Sequence, residues 1–192
     1  YKGIKGFKVQ SLASDPTLVE GQVWYNTTTN LLKYQAAVGA WASGGAMNTA
    51  RKQFSGAGTQ AATITAGGVT GGPSGTHGTA TETYNGSAWT ETGHALNTSR
   101  GNAGMAGTTA GALYISGYVG PAPIDNVETY NGSSWAEGTN INTARQSIGA
   151  CGTTTASLIA GGYSGPASTV FGEAEKWDGS SWAEVADLNT DR

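Results

Sequence analysis

The chain has 192 residues, which is enough for one domain with a buried core, and only 12% of these residues are charged. Its formal net charge of −3 offers no basic surface to phosphate, so nucleic-acid binding is not expected. No apolar run approaches the length of a membrane span, so membrane insertion is not expected, and the single Cys151 excludes an internal disulfide. The 31 glycines separate short stretches rich in Thr, Val, Ile, Tyr and Trp, and this composition predicts an all-β fold without long helices.

Residues 1–46 contain no repeat, but they contain a hairpin pattern. The segments VWY and LLKY flank a polar NTTTN turn, which predicts two antiparallel strands. The stretch GQVWYNTTTNLLKY, followed by Trp41, resembles a short module common in tail fibres and other structural proteins of tailed bacteriophages. The resemblance implies that residues 1–46 attach the protein to a virion. The order Tyr34, Trp41, Asn48 also resembles the second half of the repeat described next, so this segment is expected to form part of a further blade-like sheet.

The remainder of the chain is built from an internal repeat. Its first marker is the tetrad Asn-Thr-x-Arg, which ends at every arginine of the chain: Arg51, Arg100, Arg145 and Arg192. A glycine stands 17 residues after each of the first three arginines, at Gly68, Gly117 and Gly162. Next come an aromatic residue and, five residues later, a tryptophan, in the pairs Tyr84 and Trp89, Tyr130 and Trp135, and Trp177 and Trp182.

Each repeat predicts four short antiparallel strands. The first follows the arginine, the second ends at the glycine, and the third and fourth carry the aromatic residue and the tryptophan. An Asn-Gly or Asp-Gly pair between the last two strands predicts a type I′ hairpin turn, because both central residues of that turn need positive φ.

This pattern of an arginine, a diglycine and a spaced pair of aromatic residues resembles the kelch repeat. The resemblance implies a kelch-like β-propeller with blades at 47–95, 96–140 and 141–187, and with the start of a further blade at 188–192. The sequence departs from the usual kelch pattern in its short spacing from Tyr to Trp and in Ser116, which replaces the first glycine of the second pair. Because propellers have four to eight blades, the ring is incomplete here, and we expect a longer chain rather than separate chains to complete it.

Six of the eight glutamates also occupy repeat positions. One set stands two residues before the aromatic residue of strand three, at Glu82, Glu128 and Glu175, and the other stands two residues after the tryptophan, at Glu91, Glu137 and Glu184. We expect the first set to pair with the repeated arginines between neighbouring blades, and the second to protect the outermost strand from edge-to-edge association. Catalysis by paired carboxylates is not favoured, because a catalytic site is not normally copied into every blade.

The repeats differ in length only between strands two and three and between strand four and the next strand one. Both connections lie on the same face of an up-and-down blade. The loops 69–80, 118–126 and 163–173 on this face are rich in Gly, Ser, Thr and Pro. Their sizeable rings are the predicted ligand-binding residues His77, Tyr118, Tyr163 and Phe171, which suit hydroxyl-rich, uncharged ligands such as host-surface glycans. The alternatives are simple tolerance of loop length and packing of the two tyrosines against the neighbouring blade.

Copper enzymes of the galactose-oxidase type resemble kelch propellers in fold, and they need a cysteine crosslinked to a tyrosine together with two histidine ligands. Cys151 occupies the repeat position of Ala57 and Ala106, so we expect it to be a small, buried core residue. His77 and His94 have no repeat relation to each other or to Cys151. With no phosphate loop or metalloprotease motif in the sequence either, we expect no catalytic residue, no bound metal and no cofactor.

These patterns predict a non-enzymatic structural protein of a bacteriophage virion, such as a tail fibre, another appendage or a capsid-associated protein. It is expected to display kelch-like blades that bind the host surface or other virion proteins, as a homo-oligomer or in several copies on one particle. The first alternative is a secreted or surface propeller of a cell that binds glycan or protein. The second alternative is a copper enzyme of the galactose-oxidase type.

Overall fold

The computed structural model describes residues 9–17, 22–34, 43–72, 75–165 and 169–192. Within these ranges every regular element is a β-strand, as the composition predicts, and none of the described residues forms a helix. The described part of the chain therefore holds no helical segment capable of crossing a membrane. The chain divides into two compact units between Ser43 and Gly44, which we call unit 1 and unit 2.

Unit 1 contains a three-stranded sheet formed by β1 (Gln10–Leu12), β2 (Val23–Asn26) and β3 (Leu31–Tyr34). Strands β2 and β3 form the predicted antiparallel hairpin, whereas β1 pairs with β2 in parallel. The side-chain Oδ1 of Asn26 accepts the backbone N–H groups of Thr28 and Thr29 and thereby closes the turn. Trp41, which follows the hairpin in the phage-like module, lies outside the described residues.

One carboxylate joins the elements of unit 1. Asp15 accepts hydrogen bonds from Lys33 Nζ (2.8 and 2.9 Å), Asn26 Nδ2 (2.8 Å) and Trp24 Nε1 (3.1 Å). These donors, Lys33 first, favour the charged carboxylate and lower the pKa of Asp15 to about 2. The stability that this cluster contributes is therefore present above about pH 4 and is lost as the pH falls toward 2.

Unit 2 contains three four-stranded antiparallel sheets, one for each repeat. Sheet A consists of β5 (Ser55–Thr59), β6 (Ala62–Ala66), β9 (Ala80–Tyr84) and β10 (Trp89–Ala95). Sheet B consists of β11 (Gly104–Thr108), β12 (Gly111–Tyr118), β13 (Pro123–Tyr130) and β14 (Trp135–Glu137). Sheet C consists of β15 (Gly149–Gly152), β16 (Ser157–Ala160), β17 (Ala174–Trp177) and β18 (Trp182–Val185). Three two-residue strands, β4 (Arg51–Lys52), β7 (Val69–Thr70) and β8 (Thr76–His77), form a small separate sheet.

Each large sheet keeps its strands in chain order, so the four predicted strands of every repeat are observed, although the described sheets do not close into a ring. The repeated aromatic residues face each other across strands three and four, with ring centroids 5.0–5.3 Å apart. The second set of glutamates lies on the outermost strands and is exposed, as expected for residues that protect an edge: Glu91, Glu137 and Glu184.

The turns between strands three and four differ from the predicted type I′ geometry. Only their glycines have positive φ, at Gly86, Gly132 and Gly179, and the preceding Asn or Asp does not. Four residues separate the paired aromatic residues, and the Asn or Asp side chain accepts two of the backbone N–H groups in the turn. The predicted hairpins are present but the turn type is wrong, because a side-chain acceptor organises the longer loop.

A buried glutamate on the third strand of each sheet binds the Asn-Thr-x-Arg tetrad that leads into that sheet. Glu128 accepts the Asn97 N–H (2.7 Å) and Nδ2 (2.9 Å), the Thr98 N–H (3.2 Å) and Arg100 Nη1 (2.5 Å). The other two sheets repeat these contacts, in sheet A between Glu82 and Asn48, Thr49 and Arg51, and in sheet C between Glu175 and Asn142 and Arg145. We call this arrangement the Arg–Glu clamp, and in all three copies its charged side chains are at most 1% exposed.

The clamp pairs an arginine with a glutamate of its own repeat, which corrects the expectation of pairing between neighbouring blades. The physical reason is that the tetrad binds the outer strands of the sheet it enters, since Asn97 Nδ2 also donates to the Trp135 carbonyl (3.3 Å). The arginine main chain instead contacts the preceding repeat: the Arg100 carbonyl accepts the Gly68 N–H (2.9 Å). Arg100 and Arg145 therefore each join two repeats, one through the side chain and the other through the carbonyl.

Ser116 shows why the second repeat tolerates the loss of a glycine. It has a φ of 62°, and its hydroxyl lies within hydrogen-bond distance of the Ile124 carbonyl (2.8 Å) and of the Arg145 carbonyl, either of which can accept its single proton. The equivalent residue of the first repeat is Gly67, where a Cβ would lie 2.2 Å from the Tyr114 hydroxyl, which itself donates to the Arg100 carbonyl (3.2 Å). A hydroxyl group thus reaches the arginine carbonyl in both cases, once from tyrosine and once from serine.

Apolar side chains pack the three sheets against one another. The core between sheets A and B includes Ile64, Ala66, Met105, Tyr114 and Trp135, and the core between sheets B and C includes Leu113, Ile115, Val127, Ile148 and Ile159. The residue thirteen positions after the arginine packs toward the next sheet, as Ile64 does toward sheet B and Leu113 toward sheet C. Its equivalent in sheet C, Leu158, is 43% exposed, whereas Leu113 is 1% exposed.

Cys151 is exposed, which contradicts the expectation that it is a buried core residue. It stands six positions after the arginine, where Ala57 packs against the core between sheets A and B and Ala106 is buried. This position faces the next sheet, and β11 has neighbours on both sides, β5 and β15. No described strand packs on the outward side of β15 as β15 packs on β11. Cys151 therefore occupies the same repeat position as Ala57 and Ala106, but it is not buried as Ala106 is.

We expect Glu128→Ala to lower the free energy of unfolding by about 3–5 kcal/mol, because it leaves the buried Arg100 guanidinium without its carboxylate. The matched control is Glu137→Ala, which removes an exposed glutamate from the outer strand of the same sheet and should change stability by less than about 0.5 kcal/mol. Urea denaturation monitored by tryptophan fluorescence measures both. Equal costs for the two variants would contradict the structural role of the clamp.

Leu113 and Leu158 form a second matched pair, because they occupy the same repeat position with different burial. We expect Leu113→Ala to cost about 2–5 kcal/mol through loss of buried area and creation of a cavity, and Leu158→Ala to cost less than about 1 kcal/mol. Denaturation of the 192-residue chain tests the difference. If Leu158→Ala proved as costly as Leu113→Ala, the outward face of sheet C would be buried in solution.

Candidate functional site

A groove of about 520 Å³ crosses the three repeats of unit 2, and its size lies within the range of small-ligand sites. The first repeat contributes Lys52, Gln53, Val69, Gly75 and His77, the second contributes Asn102, Tyr118 and Pro121, and the third contributes Gln146, Tyr163 and Gly165. We call it the cross-repeat groove. It brings together His77, Tyr118 and Tyr163, which are three of the four residues predicted to bind a ligand.

One part of the groove is a set of short backbone pairings at equivalent repeat positions. In each repeat the residue after the arginine pairs with the residue after the glycine: Lys52 with Val69, Gly101 with Tyr118, and Gln146 with Tyr163. The second glycine of each pair has positive φ, as at Gly117 (116°), where a Cβ would lie 2.8 Å from the Gly101 carbonyl oxygen. The glycine therefore allows the close approach that places Tyr118 in the groove.

The second residue after the arginine of each repeat has a left-handed backbone conformation. These residues are Gln53 (φ 57°), Asn102 (55°) and Ser147 (56°). This conformation is costly for residues with a Cβ, and asparagine adopts it most readily of these three. It is accompanied by bonds between repeats: the Asn102 N–H donates to the Gln53 carbonyl (2.8 Å), and the Ser147 N–H donates to the Asn102 carbonyl (2.6 Å). A row of main-chain hydrogen bonds thus connects the three repeats beside the groove-lining side chains.

The rings of the groove come from different repeats. The centroids of the His77 and Tyr118 rings lie 5.8 Å apart with an interplanar angle of 58°, so Tyr118 both lines the groove and contacts the preceding repeat. Tyr163 lines the groove from the third repeat and is half-buried, like Tyr118. Phe171 is not among the lining residues; its N–H donates to the Gly162 carbonyl (2.9 Å) and its carbonyl accepts the Arg192 N–H (3.3 Å).

The polar side chains of the groove are mostly uncharged. Asn102 Nδ2 donates to Gln146 Oε1 (3.2 Å), which leaves the side-chain Oδ1 of Asn102 and Nε2 of Gln146 for other partners. Lys52 is the one lysine or arginine among the described lining residues, and its Nζ donates to the Gly72 carbonyl (3.3 Å). No carboxylate is found among those described lining residues. The groove can therefore donate and accept hydrogen bonds without a strong field of either sign.

The ligand prediction from sequence did not include Lys52, Gln53, Asn102 or Gln146. A signal for them exists in the sequence, because they directly follow identical Asn-Thr-x-Arg tetrads and yet differ between repeats: Lys-Gln, Gly-Asn and Gln-Ser. Variation immediately beside an invariant structural motif indicates positions whose side chains the scaffold does not constrain. The backbone pairing that brings these positions next to Tyr118 and Tyr163 could not be derived from spacing alone.

The residues considered for a copper site lie in separate environments. His77 lies in the groove, the Nδ1 of His94 is 2.7 Å from the Tyr130 hydroxyl, and Cys151 is exposed on β15. Within the described ranges there is no group of three or more His, Cys, Asp or Glu residues arranged to hold a metal ion.

No family model matches this sequence, and no curated protein matches it. The fold is similar to a solved structure of YjhT, a kelch-type β-propeller, with a TM-score of 0.58 and 10% sequence identity. The match covers 73% of this chain and 53% of that chain, so this chain spans about half the length of the structure that it resembles. At this identity the similarity concerns the fold alone.

Substitutions at Asn102 test the backbone conformation of the groove independently of its side chains. We expect Asn102→Gly to be more stable than Asn102→Ala by about 1 kcal/mol, because glycine adopts the left-handed conformation without the steric cost that alanine has. Urea denaturation of the two variants measures the difference. A glycine variant less stable than the alanine variant, the order found in helices and strands, would show that residue 102 is not left-handed in solution.

Proposed function

We propose that unit 2 forms three consecutive blades of a kelch-like β-propeller, and that the chain is part of a non-enzymatic bacteriophage virion protein that binds the host surface or another virion protein. The observation that carries this proposal is a contrast between the repeats. The Arg–Glu clamp is the same in all three, whereas the two residues that follow the arginine beside the cross-repeat groove differ in each: Lys-Gln, Gly-Asn and Gln-Ser. A constant frame that presents varied loops is typical of recognition surfaces.

Three features support the propeller. The sheets have four up-and-down strands each, their faces pack on one another in sequence order, and the fold is similar to that of YjhT. Blades that pack face to face in this way extend around an axis until the ring closes.

The exposed apolar face of sheet C is evidence that a further blade packs beside it. The positions that contact the next sheet in the first two repeats are occupied by the exposed Leu158 and Cys151 in the third. The chain after sheet C already follows the pattern of an entering tetrad, because the Gly162 N–H donates to the Arg192 carbonyl (2.8 Å) as Gly117 does to Arg145 (3.3 Å). A further sheet with a buried glutamate on its third strand would complete the clamp with Asn189 and Arg192.

The virion assignment is supported by unit 1. The stretch GQVWYNTTTNLLKY, which contains the β2–β3 hairpin, resembles a short module of tail fibres and other structural proteins of tailed bacteriophages. In this role unit 1 attaches the protein to the particle, and unit 2 carries the groove that binds the partner. Several copies on one particle would multiply weak individual contacts into useful adhesion.

The experiment is to replace residues 71–79, 119–122 and 164–169 of the variable loops with short Gly-Ser turns in the phage that encodes the protein, which leaves the strands of sheets A, B and C intact. We expect the altered particle to assemble and to adsorb to host cells at least about tenfold more slowly, because the groove loses contributions from every repeat. Adsorption rate and protein content of purified particles are the two measurements.

The matched control replaces the turns 85–88, 131–134 and 178–181, which lie at the opposite ends of the same strands. It should leave adsorption unchanged. If purified particles of the unaltered phage did not contain the protein, the virion role would be refuted. Adsorption at the original rate with the first set of loops removed would show that this face is not the recognition surface.

A further inference from the structure

Resting on the proposed binding role of unit 2, we infer that the cross-repeat groove is a site for a neutral saccharide. A sugar ring lies against Tyr118 and His77, and its hydroxyl groups bind the amide side chains of Asn102 and Gln146.

The main chain beside the groove is already hydrogen-bonded. Gly101 and Tyr118 exchange two bonds (3.1 and 2.8 Å), and Gln146 and Tyr163 exchange two more (3.1 and 3.0 Å). The Asn102 N–H is bound to the Gln53 carbonyl. A peptide that adds a strand needs a free strand edge with unpaired N–H and carbonyl groups. Recognition in this groove therefore depends on side chains, which disfavours an extended peptide as the ligand.

The polar side chains fit hydroxyl groups. An amide offers both a donor and an acceptor, and a phenol does the same, so each can bind a hydroxyl group in either direction. Asn102, Gln146, Tyr118 and Tyr163 supply these functions from two adjacent repeats. The Asn102–Gln146 bond of 3.2 Å also orders both amides before a ligand arrives, which reduces the entropy lost on binding.

The charges of the groove disfavour anionic and cationic ligands. Lys52 is one cation, already bonded to the Gly72 carbonyl, and it is far short of the cluster of basic groups that binds phosphates tightly. Since no carboxylate is among the described lining residues, a cationic ligand finds no partner of opposite charge. A neutral ligand needs no charged partner in the groove.

The rings supply the apolar contact. The half-buried Tyr118 and His77 rings, 5.8 Å apart and inclined by 58°, form an angled surface from two repeats. One face of a sugar ring carries C–H groups that pack on such a surface, while its hydroxyl groups point to the side. This division between an apolar face and polar edges matches the division of the groove between rings and amides.

The test measures binding of small probes to the purified 192-residue chain by saturation-transfer NMR and titration calorimetry. The neutral probes are maltotriose, cellotriose and diacetylchitobiose, and the charged probes are a galacturonic acid disaccharide and inorganic phosphate. We expect at least one neutral probe to bind, with millimolar affinity or better. Tyr118→Ala and Asn102→Gly should each weaken this binding by about tenfold, whereas Tyr118→Phe should weaken it by less than about threefold.

Leu158→Ala is the control, because it removes an exposed apolar side chain outside the groove lining and should leave binding unchanged. The inference is overturned if no neutral probe binds, if a charged probe binds while the neutral ones do not, or if binding is insensitive to both Tyr118→Ala and Asn102→Gly.

The two proposals can fail separately. If loop exchange slows adsorption but no neutral probe binds the groove, the recognition surface is retained and the saccharide is wrong. If a neutral probe binds and depends on Tyr118, yet loop exchange leaves adsorption unchanged, the groove binds sugars but has no part in attachment to the host.

Discussion

The buried carboxylate on the third strand of each sheet is the contact on which unit 2 depends. A glutamate removed from water needs several donors to offset its desolvation, and Glu128 obtains them from the main chain, an amide and a guanidinium within four consecutive residues. Its demand for donors therefore fixes the path of the chain as it enters the sheet. With the tetrad held in place, the arginine carbonyl reaches the preceding repeat, and the two residues after it reach the groove.

This geometry explains how a groove with varied side chains arises from a strongly repetitive sequence. The clamp constrains Asn, Thr and Arg but leaves the following two positions constrained only in their backbone. At these positions the left-handed conformation and the pairing with the residue after the glycine are kept, whereas the side chains become Lys and Gln, Gly and Asn, or Gln and Ser. Each repeat thus contributes different chemistry at the same location. The variable loops then add His77, Tyr118 and Tyr163 to these positions.

Much of this architecture was accessible from the sequence, because it depends on local patterns. The β2–β3 hairpin, the four strands of each repeat and the proximity of the repeated Arg and Glu follow from alternation, turn residues and spacing. Three features did not follow. The Asx side chains replace a type I′ turn, the clamp closes within a repeat, and Cys151 is exposed although its equivalent Ala106 is buried. Each depends on which groups are neighbours in space. Periodicity identifies equivalent positions in the repeats, but it does not identify the groups that pack against each position in the folded protein.

The double role of the arginine has a consequence for how the fold loses its structure. Because the guanidinium belongs to one sheet and the carbonyl to the one before it, the sheets behave as a linear array in which the stability of each depends on its immediate neighbours. Sheet B has a neighbour on both faces, whereas sheets A and C each have one among the described sheets. Cooperative opening then spreads inward from either end, and the amides of β12 are the last to exchange with solvent. The repeat that contributes Tyr118 is thus the most persistent part of the array.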